Sequence, residues 1–315
     1  MKSFSLYVFL TLMLISCELT IDIEQPDFDA SLVVQTNLNN HEPLLLFLSQ
    51  DYYILDRALE NYSDGNGLSG ADISVFENGE FIGLMENYPF NNSFQGGTID
   101  GFYSLECRPQ SGSTYRFEME KEGFTKAIGE TKIPLETFQY EIEEINESIN
   151  EWGGTDYRIE LSIDDPEGPN YYEVEVMQHT FQPVFDDFEN VVAFLPITQG
   201  VYIRSENIVI PEYQYDRLLF KDELFDGKSF RFNFSADFYL ENSLKEEYGL
   251  TEDSHVVVKI RSCSEEYFNY YNTAALQNWN DGDPLVEPVP IFTNVQNGFG
   301  LVGSYFERVD TIFTY

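Results

Sequence analysis

The sequence predicts a mainly β protein: an N-terminal immunoglobulin-like β-sandwich followed by a larger β domain with one short helix. Three observations predict it. Short apolar runs, several alternating with polar residues, recur from Ser31 onward with turn formers between them. Asn78-Gly79 lies between two such runs, and both residues accept the positive φ that a tight hairpin requires. Helical spacing stands out at one place, after Ser262. The 21 Tyr and 27 Phe suit strands and aromatic binding surfaces.

Taken in order, Leu32-Val-Val34 and Leu44–Leu48 read as two antiparallel strands around the turn-rich Asn37–Pro43. Asp51–Gly70 is a long loop. Ala71, Ile73 and Val75 alternate before Asn78-Gly79, and Phe81, Ile82 and Leu84 follow it. Gly101–Leu105 is a further strand. Tyr115, Phe117 and Met119 alternate with Arg116, Glu118 and Glu120, Glu122-Gly123 turns the chain, and Phe124–Ile133 returns to Pro134. Strands this short and close, with no helix among them, are the pattern of a small sandwich over 31–134.

Residues 134–156 are acidic and turn-rich and read as the boundary region, with the second domain over 135–315. Arg158–Ile163 and Tyr171–Met177 alternate, and residues 181–229 read as irregular around Pro183, Pro196 and Pro211. Phe230, Phe232 and Phe234 line one strand face, and Val256–Ile260 is a β-branched central strand. Ser262-Cys-Ser-Glu265 has capping-box spacing. It opens a helix near 264–279 whose Tyr267, Tyr270, Tyr271 and Ala274 share a core-facing side, stopped by Gly282 and Pro284. Gly298, Gly300 and Gly303 feed a late strand.

The amino terminus has a different character. One charge, Lys2, precedes an apolar run from Phe4 to Ile15, long enough for a signal-peptide core and too short for a membrane span of about 20 residues. The run ends in Leu14-Ile-Ser-Cys17, which resembles the lipobox of bacterial lipoproteins. Residues 1–16 are therefore expected to be a signal peptide, Cys17 the lipidated residue, and 17–30 an acidic tether broken by Pro26. The lipid would be the membrane attachment.

Charge excludes one class of partner. With 17 Lys plus Arg against 55 Asp plus Glu, the net charge is −38, which repels nucleic-acid phosphates and anionic lipid heads. The acid is spread along the chain, as a solvated surface would have it.

Chemistry is sparse. No His-Glu-x-x-His, Gly-x-Ser-x-Gly or phosphate loop is present, and a catalytic function is not expected. Cys107 and Cys263 are either a disulfide or two separate buried thiols. Oxygen-rich loops at Asp64-Gly-Asn66, Asp164–Glu167, Asp186–Glu189 and Asp281-Gly-Asp283 offer calcium ligands, with Asp281 and Asp283 the first choice. None has EF-hand spacing, and a solvated acidic turn is the plainer reading of each. Asp310-Thr-Ile312 resembles a short O-glycosylation acceptor.

Four places together resemble one family, the uncharacterised Bacteroidota lipoproteins called domain of unknown function forty-two forty-nine. They are Cys17-Glu with Ile21-Asp-Ile-Glu24, Ser31-Leu-Val-Val34, Leu68–Val75, and Tyr267–Tyr271 with Asp283-Pro284 and Asn294–Gly300. The resemblance covers nearly the whole mature chain. It implies an outer-membrane lipoprotein encoded beside TonB-dependent receptors, and it supplies no catalytic residue. The expected role is a non-enzymatic accessory or binding partner of a TonB-dependent transporter. A calcium-dependent adhesion or structural module and a carbohydrate-active enzyme are the alternatives. Glu18, Asp22 and Glu24 are spread out, which leaves the surface and periplasmic faces both open.

Overall fold

The structure, a computed structural model, describes residues 29–51, 67–88, 90–92, 97–149, 155–186, 190–205, 207, 216–237, 254–280 and 286–314. Contacts divide the chain after Ala30, and the architecture below is that of Ser31–Tyr315. Among the described residues it is mainly β.

In the first half, the strands are β1 (Leu32–Leu38), β2 (Leu44–Gln50), β3 (Asp72–Glu77), β4 (Glu80–Leu84), β5 (Glu86–Asn87), β6 (Phe90–Asn92), β7 (Gly97–Ile99), β8 (Phe102–Leu105), β9 (Thr114–Glu120) and β10 (Ala127–Lys132). The second half adds β11 (Gln139–Ile149), β12 (Thr155–Asp164), β13 (Tyr171–Phe185), β14 (Val191–Gly200), β15 (Tyr202–Ser205), β16 (Leu218–Lys221), β17 (Ser229–Asp237) and β18 (His255–Cys263). Helix α1 (Glu265–Asn280), β19 (Val295–Gln296) and β20 (Gly298–Thr314) complete the chain.

One long sheet runs β14-β13-β18-β20-β1-β2-β8-β5, with β16 also paired to β13. Two smaller sheets, β19-β10-β9-β3-β4 and β11-β12-β17-β15, accompany it. Each contributes to its own core. Leu32, Val34, Leu46, Tyr103 and Val302 from the long sheet meet Ile73, Phe117 and Met119 in one core. Tyr172, Val174, Val258 and Ile260 meet Ile159, Leu161, Phe232 and Phe234 in the other. Strand alternation explains the division: β1 reads buried, half-buried, buried along its length, as a sheet with one face on a core must.

The first core draws on residues 32–133 together with Val295 and Val302, and the second on residues 138–306, so the expected segment 31–134 is not self-contained. β20 pairs in parallel with β1 over Gly298–Ser304 and antiparallel with β18 over Tyr305–Thr314. It thereby runs through both halves and joins their sheets. Gly300 makes the parallel pairing possible. Its φ is +100°, and a Cβ there would stand 1.9 Å from the Val34 carbonyl oxygen.

Two expectations about irregular segments are corrected. The acidic stretch after Pro134 forms β11, because Tyr140, Ile142 and Ile145 reach the second core while Glu141 and Glu143 stay exposed. Within 181–229, β13 continues to Phe185, and β14, β15 and β16 follow. The hairpin at Asn78 and Gly79 forms as expected, with φ of 50° and 85°.

Helix α1 packs against β20, β13 and β16. Its cap is Ser264, not the Ser262 of the expected capping box: the Tyr267 N–H donates to Ser264 Oγ at 3.3 Å, while Ser262 is still in β18. Glu265 and Glu266 occupy the first turn, where the helix dipole favours them. Tyr267 and Phe268 are buried on the packed side.

Candidate functional site

Two loops converge beside the second core. One is Asp165–Asn170, between β12 and β13, and the other is Asp222–Lys228, after β16. Ligand oxygens of Asp165, Asp222 and Asp226 lie within 4.8 Å of one another, with the first two residues buried. The backbone and neighbouring side chains hold them there. Tyr172 Oη donates to Asp165 Oδ1 at 2.5 Å, and the Gly227 N–H to Asp165 Oδ2 at 2.8 Å. Asn170 donates its N–H and its amide to Asp222 Oδ2, and the Gly168 N–H donates to Asp226 Oδ1. Gly168 and Gly227 have φ of +106° and +68°, so both loops turn through conformations that favour glycine.

Burial pushes the Asp165 and Asp222 carboxyls up, despite these donors, and neighbouring carboxylates push further. Like charges this close favour a shared proton or a cation. Hard oxygen donors suit calcium or magnesium; a full calcium shell of six to eight oxygens would need water or carbonyls besides these three residues.

A second polar centre lies on the opposite face of β13, under α1. Glu173 has no solvent exposure and accepts hydrogen bonds from Arg261, Arg217 and Tyr267. Arg261 also reaches Glu175 at 2.9 Å and Glu307 at 2.7 Å, and it lies over the Tyr305 ring at 4.7 Å. Burial by itself would lower the Arg261 pKa; Glu173 and the other acidic neighbours outweigh it and hold the guanidinium charged. Arg217 lies over the Tyr271 ring, whose hydroxyl receives Asn37 Nδ2 at 2.7 Å. This network ties α1 to the sheet.

Where the two cores meet, an open cleft of about 820 Å³ is lined by Asn40, His41, Gln110, Tyr140 and Arg308, among others. Arg308 lies over the Phe138 ring at 5.4 Å, and Tyr140 Oη donates to Asp310 at 2.7 Å.

The expected site residues fall as follows. Cys17, Asp281 and Asp283 lie outside the described residues, as do Asp64 and Asn66. A disulfide between Cys107 and Cys263 is not formed; both are free thiols. Cys107 packs at the margin of the first core and Cys263 in a separate cluster with Leu219, Tyr267 and Phe268. Burial raises both thiol pKa values, which makes them poor nucleophiles. Of the oxygen-rich loops, Asp164–Glu167 supplies one triad member, Asp165. Asp222 and Asp226 were missed. Their only signal was the turn sequence Lys221-Asp-Glu-Leu-Phe-Asp-Gly-Lys228, and nothing in one sequence ties it to a loop about fifty residues earlier.

These features define a mainly β protein with two cores on a shared sheet. No helix among its described residues is long and apolar enough to cross a membrane. The chain belongs to the family described as Domain of unknown function (DUF4249), whose model matches residues 18–310. That membership agrees with the resemblance carried by Ser31–Val34, Leu68–Val75 and Asn294–Gly300. No curated protein matches the chain. Among solved structures, a crystal structure of a membrane-anchored protein from Corynebacterium diphtheriae is similar at a TM-score of 0.20 and 10% identity, over 74% of this chain and 54% of that one. The chain thus spans about half the length of that protein.

Proposed function

We propose that this chain is a non-enzymatic outer-membrane lipoprotein, held by acyl groups on Cys17, that serves as an accessory or binding partner of a TonB-dependent transporter. The observation that carries the reading is the apolar run closing in Leu14-Ile-Ser-Cys17, after which the chain turns acidic and polar until β1 begins. Two well-packed cores on one sheet support a docking role, since such a body presents loops and edges without needing to move. Membership of the family whose resemblance implied a lipoprotein supports it further. The test is affinity purification from detergent-solubilised envelope at native expression. The expected result is recovery of an outer-membrane transporter with the chain; recovery of the chain alone contradicts the partnership.

A second reading is a calcium-dependent module, favoured by the Asp165–Asp222–Asp226 convergence. Calcium bound there would raise the thermal midpoint by mass action. Melting with millimolar calcium and again with a chelator tests it, and identical midpoints remove the reading.

A further inference from the structure

We infer that the cleft where the two cores meet binds a neutral oligosaccharide. Neither the lipid anchor nor the transporter is needed for this. The cleft forms because β1 ends before β20 does: their pairing stops at Leu38 and Ser304, and β20 runs on to Thr314. The connection 39–43 then folds over the uncovered edge. Asn40 Oδ1 accepts the Glu307 N–H at 3.0 Å, and His41 Nε2 lies 3.1 Å from the Glu307 carbonyl oxygen. This connection occupies the place at Glu307 where a further strand would pair, so an extended peptide cannot add there. A small ligand is the fitting occupant, and about 820 Å³ falls within the range of about 300–1,000 Å³ common for such sites.

The walls are fixed before any ligand arrives. Ser111 Oγ, from the connection between β8 and β9, donates to the Pro134 carbonyl at 2.8 Å and accepts the Glu136 N–H at 3.0 Å. The Arg308 guanidinium lies over the rings of Phe138 and Tyr140, 5.4 and 6.0 Å from their centroids. A site held in this way loses little freedom on binding.

Its polar groups suit hydroxyls. Among the described residues, the Arg308 guanidinium has one acceptor, Glu136 Oε1 at 3.5 Å, and the exposed Gln110 amide has no hydrogen-bond partner. His41 Nε2 lies 3.1 Å from the Asn40 amide nitrogen as well as from the Glu307 oxygen. In one tautomer that nitrogen serves a donor or an acceptor, not both, so one of the two groups is left over. Spare donors and acceptors thus stand beside the apolar surfaces of Tyr140 and Val309. A sugar matches this mixture, because its hydroxyls both donate and accept and its ring carries C–H faces.

Charge selects a neutral ligand. Glu136 pairs with Arg308, Glu307 with Arg261 at 2.7 Å, and Asp310 accepts the Tyr140 hydroxyl at 2.7 Å. An anion would meet these three carboxylates in a chain of net charge −38. A cation would compete with Arg308 and Arg261 for carboxylates already paired.

Saturation-transfer NMR of the purified mature chain tests this. The neutral probes are maltotriose, cellotriose, xylotriose and triacetylchitotriose at millimolar concentration, and trigalacturonate and a chitosan trimer are the charged ones. The expected result is transfer to at least one neutral trisaccharide, and weaker transfer or none to both charged trimers. His41→Ala and Gln110→Ala are each expected to weaken affinity for that sugar by about fivefold or more. Gln110→Ala keeps the test independent of how His41→Ala folds, since the Gln110 amide supports nothing else among the described residues. Val192→Ala, 60% exposed on β14 at the far edge of the long sheet, is expected to bind as the parent does. No transfer to any neutral probe, tighter binding of a charged trimer, or parental affinity in both cleft variants overturns the inference.

Discussion

Glu173 and Arg261 stand opposite each other in the β13–β18 register and form an ion pair from which water is excluded. The same rung continues to Glu307, the register partner of Arg261 on β20. Three adjacent strands thus place acid, base and acid side by side beneath α1. Removing such charges from water is costly, and only a fully matched set of donors and acceptors offsets it. Glu173 is matched from three sides, by Arg261, Arg217 and Tyr267. The network therefore specifies where α1 sits.

Breaking that match is expected to be expensive. Glu173→Gln leaves Arg261 without its central counter-charge and is expected to destabilise the fold by about 3–5 kcal/mol. Chemical denaturation measures the loss. The double variant Glu173→Gln, Arg261→Gln is expected to lose less than the two single losses added, because the partners act as one unit.

Ser264 concentrates several contacts in one hydroxyl. Its oxygen accepts from the Tyr267 N–H at 3.3 Å, the Ser304 N–H at 3.3 Å and the Thr131 hydroxyl at 3.2 Å. Ser264→Ala removes a helix cap and leaves buried donors unmatched, at an expected cost of about 1–2 kcal/mol. Urea unfolding checks the size, and Ser264→Thr is expected to retain part of the stability.

Gly300→Ala tests the parallel joint between β1 and β20. The new methyl would stand 1.9 Å from the Val34 carbonyl oxygen at a φ of +100°, so one strand must shift. The expected loss is at least about 2 kcal/mol, with faster amide exchange along β1. Gly123→Ala is the control: its φ is +88°, but nothing lies within 4 Å, so it carries the backbone penalty alone.

Stability should also depend on pH through the two buried aspartates. Burial raises the folded-state pKa of Asp165 and Asp222 above the ordinary 3.8. The folded state then binds protons that the unfolded chain has released, so their contribution is fully present below 3.8 and is lost as pH rises through the raised values. Asp222→Asn removes that loss. Thermal melts without divalent cations should show the variant gaining more over the parent at pH 7 than at pH 4; an equal or reversed difference contradicts the shift.

Elements set by local chemistry were legible in the sequence. The Asn78-Gly79 hairpin needs two residues tolerant of positive φ, and both are visible. β17 announces itself through Phe230, Phe232 and Phe234, and α1 through its aromatic spacing. What depends on distant partners was not legible. β11 looked like an acidic linker because its one-sided burial is defined only by the core beneath it. The path of β20 beside β1 joins residues nearly the whole chain apart. Glu173 and Arg261 become a pair only once the register is known, and Asp222 and Asp226 meet Asp165 only through the loops that the second core brings together.

Anchorage at Cys17 is the claim on which the cellular reading rests, and mass spectrometry of the native amino-terminal peptide tests it most directly. The expected peptide begins at Cys17 and carries acyl mass on its sulfur. A peptide that begins elsewhere, or an unmodified Cys17 in protein that washes freely from the envelope, would contradict it.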